Sequence, residues 1–353
     1  MKIAIVTDTH FGARSDSPLF NEYFFKFWDN VFFPYLENNK IDTILHLGDI
    51  VDRKKFINYV ILNSVRTRFV NKIVKNNYTM YLLVGNHDVP VKNNNEINSF
   101  TELFGSYNNI KVVHKATTIS LDGLDIAMIP WIHNENFRDT IDFIQKTPAQ
   151  IAMGHLDLAG FEMDKGNVCK DGMSKEYFEK FESVYTGHFH HKSTDGHIFY
   201  LGNPYEITWA DYNDRRGFHV LDTNTREVEF IENPYKLFHK TIYNDSAETL
   251  DSISNKDYSL YKECFVTVVV EKKTNFVLFE KFMEKLYEVN PYEIIVVENY
   301  SDSDVSEDDF IDKMDTTVDI IDKYIDKISI EGDKDKLKNL MHEIYKEAHS
   351  MDV

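Results

Sequence analysis

Cysteine is nearly absent: Cys169 and Cys264 are the two in 353 residues, at no metal-type spacing. A disulfide framework is excluded, and a reducing compartment is expected. No apolar run approaches the roughly 18 residues needed to span a bilayer. Residues 1–6 are too short for the apolar core of a secretory leader and run straight into Asp8. The expectation is a cytoplasmic protein with no membrane contact. Basic residues are scarce, 39 Lys and Arg against 58 Asp and Glu, for a net charge of -19. Disorder is excluded, because 42% hydrophobic residues, with 26 Phe and 20 Tyr, supply a substantial core. The length predicts a main domain of about 200 to 250 residues with smaller attachments.

The charge is unevenly spread. Residues 1–240 balance at -5, whereas residues 241–353, with 13 Lys and no Arg against 27 acids, balance at -14. Nucleic-acid binding begins with cations that neutralise phosphates, so the acidic end is poorly suited to it. Residues 53–87 differ: Arg53, Lys54, Lys55, Arg66, Arg68, Lys72 and Lys75 occur there with no acid. This run predicts a local positive surface, the plainer alternative being a solvated helix face.

One device recurs through the first 235 residues, a short β-branched apolar run that stops at Gly, Asp or His. IAIV precedes Asp8, TILHL precedes Gly48-Asp49, MYLLV precedes Gly85-Asn86-His87, IAM precedes Gly154-His155, and SVY precedes Gly187-His188. Amphipathic, helix-length stretches such as 21–38 and 58–75 lie between them. Strands alternating with helices predict an α/β domain whose functional groups gather at strand ends. Residues 217–221 and 228–231 read as a closing hairpin, with a boundary near Pro234. Beyond it, 265–270, 276–289 and 294–297 read as the strand, helix and strand of a second domain.

Residues 301–309 hold five acids and no base and read as a linker. Val318, Ile321, Ile325 and Ile328, then Leu337, Leu340, Met341, Ile344 and Tyr345, form two helical stripes separated at Gly332. Such a hairpin cannot bury both stripes alone, so it either folds back on its own protein or docks on a partner, the partner being the favoured expectation.

Singly, a Gly-Asp pair or a lone His is usually a turn or a packed core residue. Asp8-x-His10, Gly48-Asp49, Gly85-Asn86-His87-Asp88, Gly154-His155 and Gly187-His188-x-His190, each after a strand-like run, together resemble the metallophosphoesterase signature. The set is chemically coherent. Asp8, His10, Asp49, Asn86, His155, His188 and His190 offer nitrogen and oxygen donors without thiolate, suited to hard or borderline divalent cations. With Asp49 shared, each of two cations receives four protein ligands. Two ions about 3.5 to 4 Å apart bring a bridging water toward neutral pKa and clamp the attacking and leaving oxygens at phosphorus. The glycines let the backbone turn sharply and approach a bound phosphate. His87 stands too close to Asn86 to share one ion with it, which leaves it for the leaving group as general acid or hydrogen-bond donor, with Asp88 to orient it. Asp52 and Arg53 follow Asp49 by one turn and are candidates for contact with substrate or with the ligands. His46, His114, His133, His191, His197, His219 and His239 read as packing or surface residues, His191 being the best placed to support a ligand.

Within that superfamily the chain is similar to the SbcD/Mre-eleven type of nuclease subunit of double-strand-break repair complexes, and most of all to the branch carried by T-even-like bacteriophages. Ile129-Pro130-Trp131, Tyr200-x-Gly202-Asn203-Pro204 and Arg216-Gly217-Phe218 extend the likeness. The resemblance implies an α/β two-sheet sandwich flanked by helices over 1–238 and a small α+β DNA-capping domain over 239–300. An acidic linker over 301–310 and a helical ATPase-binding hairpin over 311–353 would follow. It implies a DNA exonuclease and endonuclease using two divalent ions, Mn²⁺ first and Mg²⁺ as the alternative. Asp8, His10, Asp49 and His190 would hold one ion, and Asp49, Asn86, His155 and His188 the other, with His87 catalytic. Arg53, Lys54 and Lys55 are the DNA-contact candidates. The implied partners are DNA, a coiled-coil ATPase of the SbcC type, and a second copy of the chain through helices near 58–75 and 94–105, within a heterotetramer. Relatives often carry His where Asp52 stands, so a proton role for that His does not carry over. A phosphoprotein phosphatase or small-molecule phosphodiesterase is the rival enzyme reading, weakened by Lys54 where those enzymes place Gly. A catalytically silent scaffold for the ATPase is the third, weakened by the complete ligand set.

Overall fold

Each of the five apolar runs forms a strand, as β-branched and aliphatic side chains favour. The computed structural model describes residues 1–298 except Lys92 and Lys165, together with Lys334, Leu337, Lys338 and Met341. The strands fall into two six-stranded mixed sheets. In the first, β1 (Lys2–Val6), β2 (Thr43–His46), β3 (Thr79–Leu83) and β4 (Ile110–Val113) run parallel. The second begins with the antiparallel pair β5 (Thr117–Leu121) and β6 (Leu124–Ile129) and continues into β7 (Ile151–His155). A short pair, β8 (Glu162–Asp164) and β9 (Asn167–Val168), stands apart. The second sheet is completed by β10 (Ser183–Gly187), β11 (Ser193–Thr194) and β12 (Ile198–Tyr200), in the order β11-β12-β10-β7-β6-β5. The closing hairpin, β13 (Gly217–Asp222) and β14 (Val228–Glu232), returns to the first sheet, where β13 pairs antiparallel with β1.

Ile3, Ile5, Leu45, Leu47 and Leu83 of the first sheet meet Ile126, Met128, Ile151 and Met153 of the second in a buried layer. The outer face of the first sheet is closed by two helical stretches, 18–39 and 59–75, each interrupted by a π-helical turn, at Trp28–Phe32 and Val65–Val70. Phe25, Phe27, Trp28, Phe32 and Phe69 are fully buried there. At about 1.5 to 3 kcal/mol for each large apolar side chain removed from water, this aromatic layer holds the helices firmly on the sheet.

A third sheet, β15 (Phe238–Asn244), β16 (Phe265–Lys272) and β17 (Glu293–Val297), is parallel throughout. It packs Val266, Val268 and Val270 against Phe282 and Leu286 of the helix Phe276–Glu288. It has one strand more than the sequence predicts, β15. Met1–Tyr300 forms one compact unit and Ser301–Val353 another. In the latter Lys334, Leu337, Lys338 and Met341 are helical; the linker and the rest of the expected hairpin lie outside the described residues. No helix of the described residues is long and apolar enough to cross a membrane.

Candidate metal centre

Asp8 and His10 follow β1, Asp49 follows β2, Asn86 and His87 follow β3, His155 ends β7, and His188 and His190 follow β10. Main-chain hydrogen bonds hold these loops together. Asp8 N–H donates to the Gly48 carbonyl at 3.0 Å, His10 N–H to the Asp49 carbonyl at 3.1 Å, and His188 N–H to the Asp8 carboxylate at 3.1 Å. Phe11, next to His10, stacks on Phe25 at 5.3 Å and anchors its loop in the aromatic layer. Asp8, His10, Asp49 and His188 have φ of 52°, 42°, 55° and 90°. Non-glycine residues in such conformations cost on the order of 1 to 3 kcal/mol each and persist where the surroundings impose them, commonly at functional sites. The glycines make room for the candidate ligands themselves: a Cβ on Gly48, whose φ is 106°, would stand 2.5 Å from His155 Nδ1, and one on Gly85 would run into the Asp49 carboxylate.

Three groups of donor atoms each lie within 4.8 Å of one another: Asp8, His10 and His190; His10, Asp49 and His87; and Asp49, His155 and His188. Asp49 stands between the outer two, its Oδ2 3.3 Å from His155 Nε2 and 3.8 Å from His10 Nε2. Asn86 Oδ1 lies 3.0 Å from His155 Nε2 and 2.9 Å from His188 Nδ1. His190 Nε2 and His10 Nε2 are 2.9 Å apart, a pairing that a cation shared between two lone pairs would satisfy. His155 Nδ1–H donates to the Leu47 carbonyl at 2.8 Å, which directs Nε2 toward Asp49 and Asn86. Asp8, His10, Asp49 and His155 are buried, whereas Asn86, His188 and His190 are half-buried.

Burial disfavours charge on all these groups, and the carboxylates decide which imidazoles resist it. His10 is raised to about 9 despite its burial, by its contact with Asp52 and the charges of Asp49, Asp52 and Asp8. His155 is raised to about 9, again against burial, mainly by Asp49. Burial, with neighbouring imidazole charge, lowers His188 to about 3 and holds His190 well below its ordinary range, leaving neutral rings with lone pairs. Asp8 is raised to about 6, chiefly by burial, while Asp49 is held well below the carboxylate range because His155, His87 and His10 outweigh its burial. A donor set that draws positive charge this strongly into a buried place fits divalent cations.

His87 is half-buried, edge-on to His10 with ring centroids 4.9 Å apart. Its N–H donates to Asp49 Oδ1 at 2.8 Å and its ring Nδ1–H to the Asp52 carbonyl at 2.6 Å, which leaves Nε2 as the free end. Burial lowers its pKa. Asp88 does not orient it, contrary to the sequence expectation. The buried Asp88 carboxylate accepts from the amides of Asp49 (2.8 Å), Ile50 (3.0 Å) and Gly85 (2.9 Å), tying two of the ligand loops together. Asp52 takes that role through its main chain, and its Oδ1 lies 3.4 Å from His10 Nδ1. Arg53 lies 3.5 Å from Asp16 and over the Phe56 ring, Lys54 is close enough to His87 to lower its pKa, and Lys55 is exposed. The expected positive surface is narrower than the sequence suggests, because Arg68 bonds Glu22 and Asp29 and Lys72 bonds Asp29.

Two residues to which sequence reasoning gave no role stand beside the cluster. The Trp131 ring lies 5.1 Å from that of His188 and 6.1 Å from that of His155. Arg216, 3% exposed, pairs with Asp211 and Asp214 at 2.8 Å and donates to the His190 carbonyl, while His191 donates to Asp214 at 2.8 Å. Nothing in local composition marks a buried arginine; the motifs Ile129-Pro130-Trp131 and Arg216-Gly217-Phe218 were the available signal.

The model of the calcineurin-like phosphoesterase family matches residues 1–192. Exonuclease subunit 1 of Enterobacteria phage T4 is 30% identical over 351 residues, covering 99% of each chain. A solved structure described as a novel archaeal phosphodiesterase matches 66% of this chain and 100% of its own at 13% identity, with a TM-score of 0.32, too low to carry structural argument.

Proposed function

Because the chain belongs to the calcineurin-like phosphoesterase family, we propose that it is the nuclease subunit of a DNA repair or recombination complex, hydrolysing DNA phosphodiesters as exonuclease and endonuclease. The observation that carries this reading is the meeting of Asp8, His10, Asp49, Asn86, His155, His188 and His190 in one place. Its full-length similarity to a phage exonuclease subunit supports a nucleic-acid substrate.

Asp8, His10, Asp49 and His190 hold one divalent ion and Asp49, Asn86, His155 and His188 the other, Mn²⁺ being expected and Mg²⁺ the alternative. When bound, such ions supply an activated water and positive charge for the phosphate oxygens. The chain's own residues position and protonate. Asp49 keeps the two ligand groups together, and the Leu47 carbonyl fixes the ring of His155. His87, held through Nδ1 by the Asp52 carbonyl, offers Nε2–H to the departing sugar oxygen. Because Nδ1–H is held by the Asp52 carbonyl, the Nε2 proton is present only on the imidazolium, which burial disfavours, so His87 releases it readily once charged.

Arg53, Lys54 and Lys55 meet the DNA backbone, and the domain over 239–300 caps the duplex. The segment over 311–353 binds a coiled-coil ATPase of the SbcC type. A second copy covers the exposed Phe56, Tyr59, Val60 and Ile97, in a cytoplasmic heterotetramer.

Cleavage of end-labelled duplex DNA with Mn²⁺ tests the reading. His87→Ala is expected to lose at least about 100-fold in cleavage while binding as much ion as the wild type. Undiminished cleavage would remove His87 from the mechanism, and wild-type preference for a phosphomonoester would favour a phosphatase.

A further inference from the structure

Apart from the metal-ligating cluster, a cleft of about 390 Å³, open to solvent on one side, has walls from both sheets. Tyr185 of β10 and Phe199 of β12 line one side, His219 of β13 and Phe230 of β14 the other, with Lys192 and Ser193 beside them. The volume falls within the roughly 300 to 1,000 Å³ of small-molecule sites.

Four of the ten lining residues are Tyr or Phe. Tyr185 and Phe199 are stacked, centroids 5.3 Å apart and planes 21° apart. The Phe230 ring carries Lys192 Nζ 3.6 Å from its centroid and the His219 ring at 5.1 Å.

Three polar groups line this space, and one of them is buried without a hydrogen-bond partner among the described residues. Ser193 Oγ is buried and makes no hydrogen bond. His219 is 9% exposed, its ring beside that of Phe230. Lys192 rests its ammonium on Phe230, with the charges of Asp214 and Glu232 nearby. Burial and the nearby Lys192 charge lower His219 to about 3, so its ring is neutral and offers one donor and one acceptor. An unpaired buried polar atom such as Ser193 Oγ is costly unless a ligand satisfies it.

We propose that this cavity binds a nucleoside monophosphate, with its base against the Tyr185–Phe199 pair and Phe230, the base edge at His219 and Ser193, and the phosphate at Lys192. Flat aromatic faces select a flat ring. A neutral imidazole and a hydroxyl select a ring that carries donors and acceptors over a plain hydrocarbon. The ammonium selects an anionic group. None of these residues belongs to the metal-ligating cluster, so the inference stands or falls independently of the nuclease reading.

Calorimetric titration of the full-length chain, stripped of divalent ions by a chelator, tests it with deoxyadenosine 5′-monophosphate, deoxyadenosine and inorganic phosphate as separate probes. Saturable one-site binding of the monophosphate, at least about tenfold tighter than either fragment, is expected. Val228→Trp, which fills the cavity, and Phe230→Ala, which removes an aromatic wall, are each expected to weaken it at least about tenfold with the melting temperature near that of the wild type. Absence of saturable binding, a fragment that binds as tightly as the monophosphate, or affinity unchanged in the variants would each overturn the proposal.

Discussion

Asp88 lies one residue from His87 yet spends both carboxylate oxygens on main-chain amides, Oδ2 on Asp49 and Gly85 and Oδ1 on Ile50. Asparagine preserves the shape but turns one acceptor into a donor that faces an N–H. Asp88→Asn is therefore expected to lose about 1 to 3 kcal/mol of stability in urea unfolding of the metal-free chain. A loss too small to measure would mean that the amides find other acceptors. The same residue marks the limit of sequence reasoning. Each of the seven donors was legible because it ends a strand-like run, but the direction of Asp88 and the main-chain role of Asp52 depend on contacts with residues far along the chain. Arg216 was illegible for the same reason, since its burial follows from Asp211, Asp214 and the loop of His190.

At the scale of elements, β1, β2, β3, β7 and β10 were readable because they are almost wholly buried and stop at a turn residue. β15 was not: His239, Lys240 and Asn244 interrupt its apolar pattern, and its burial is uneven. The π-helical turns carry no signature either, as Trp28–Phe32 and Val65–Val70 continue the amphipathic spacing of their helices. Where β15 begins, the buried carboxylate of Glu206 accepts from Leu237 N–H at 2.6 Å and Phe238 N–H at 3.0 Å. Burial raises Glu206 from 4.5 to about 7, the two amides opposing the shift. A raised carboxyl pKa means that the folded chain holds a proton the unfolded chain has released. Its contribution is fully present below pH 4.5, declines as pH rises, and is gone above about 7. By this linkage the wild type loses about 3 kcal/mol across that window. Glu206→Gln, which cannot ionise, is expected to lack this component in urea unfolding compared between pH 5 and pH 8; parallel pH profiles for variant and wild type would show that Glu206 is not raised.

Across the whole molecule, the net charge of -19 is segregated, -5 over residues 1–240 and -14 over residues 241–353, so the part that carries the cluster is the less acidic. Part of the basic run is consumed internally, Arg53 by Asp16, Arg68 by Glu22 and Asp29, and Lys72 by Asp29. The sequence pattern conveyed the alternation of strands and helices and the order of the motifs. How the second sheet is assembled lay beyond it, because β6 ends in no Gly, Asp or His and β12 pairs with β10 across the loop that carries His188 and His190. That assembly brings His155, His188 and His190 to Asp8 and Asp49, and the account rests on their shared hold on two cations. Anomalous diffraction from crystals soaked in Mn²⁺ tests this most directly. Two peaks are expected on either side of the Asp49 carboxylate, one met by Asp8, His10 and His190 and the other by Asn86, His155 and His188. A single peak, or peaks remote from Asp49, would contradict it.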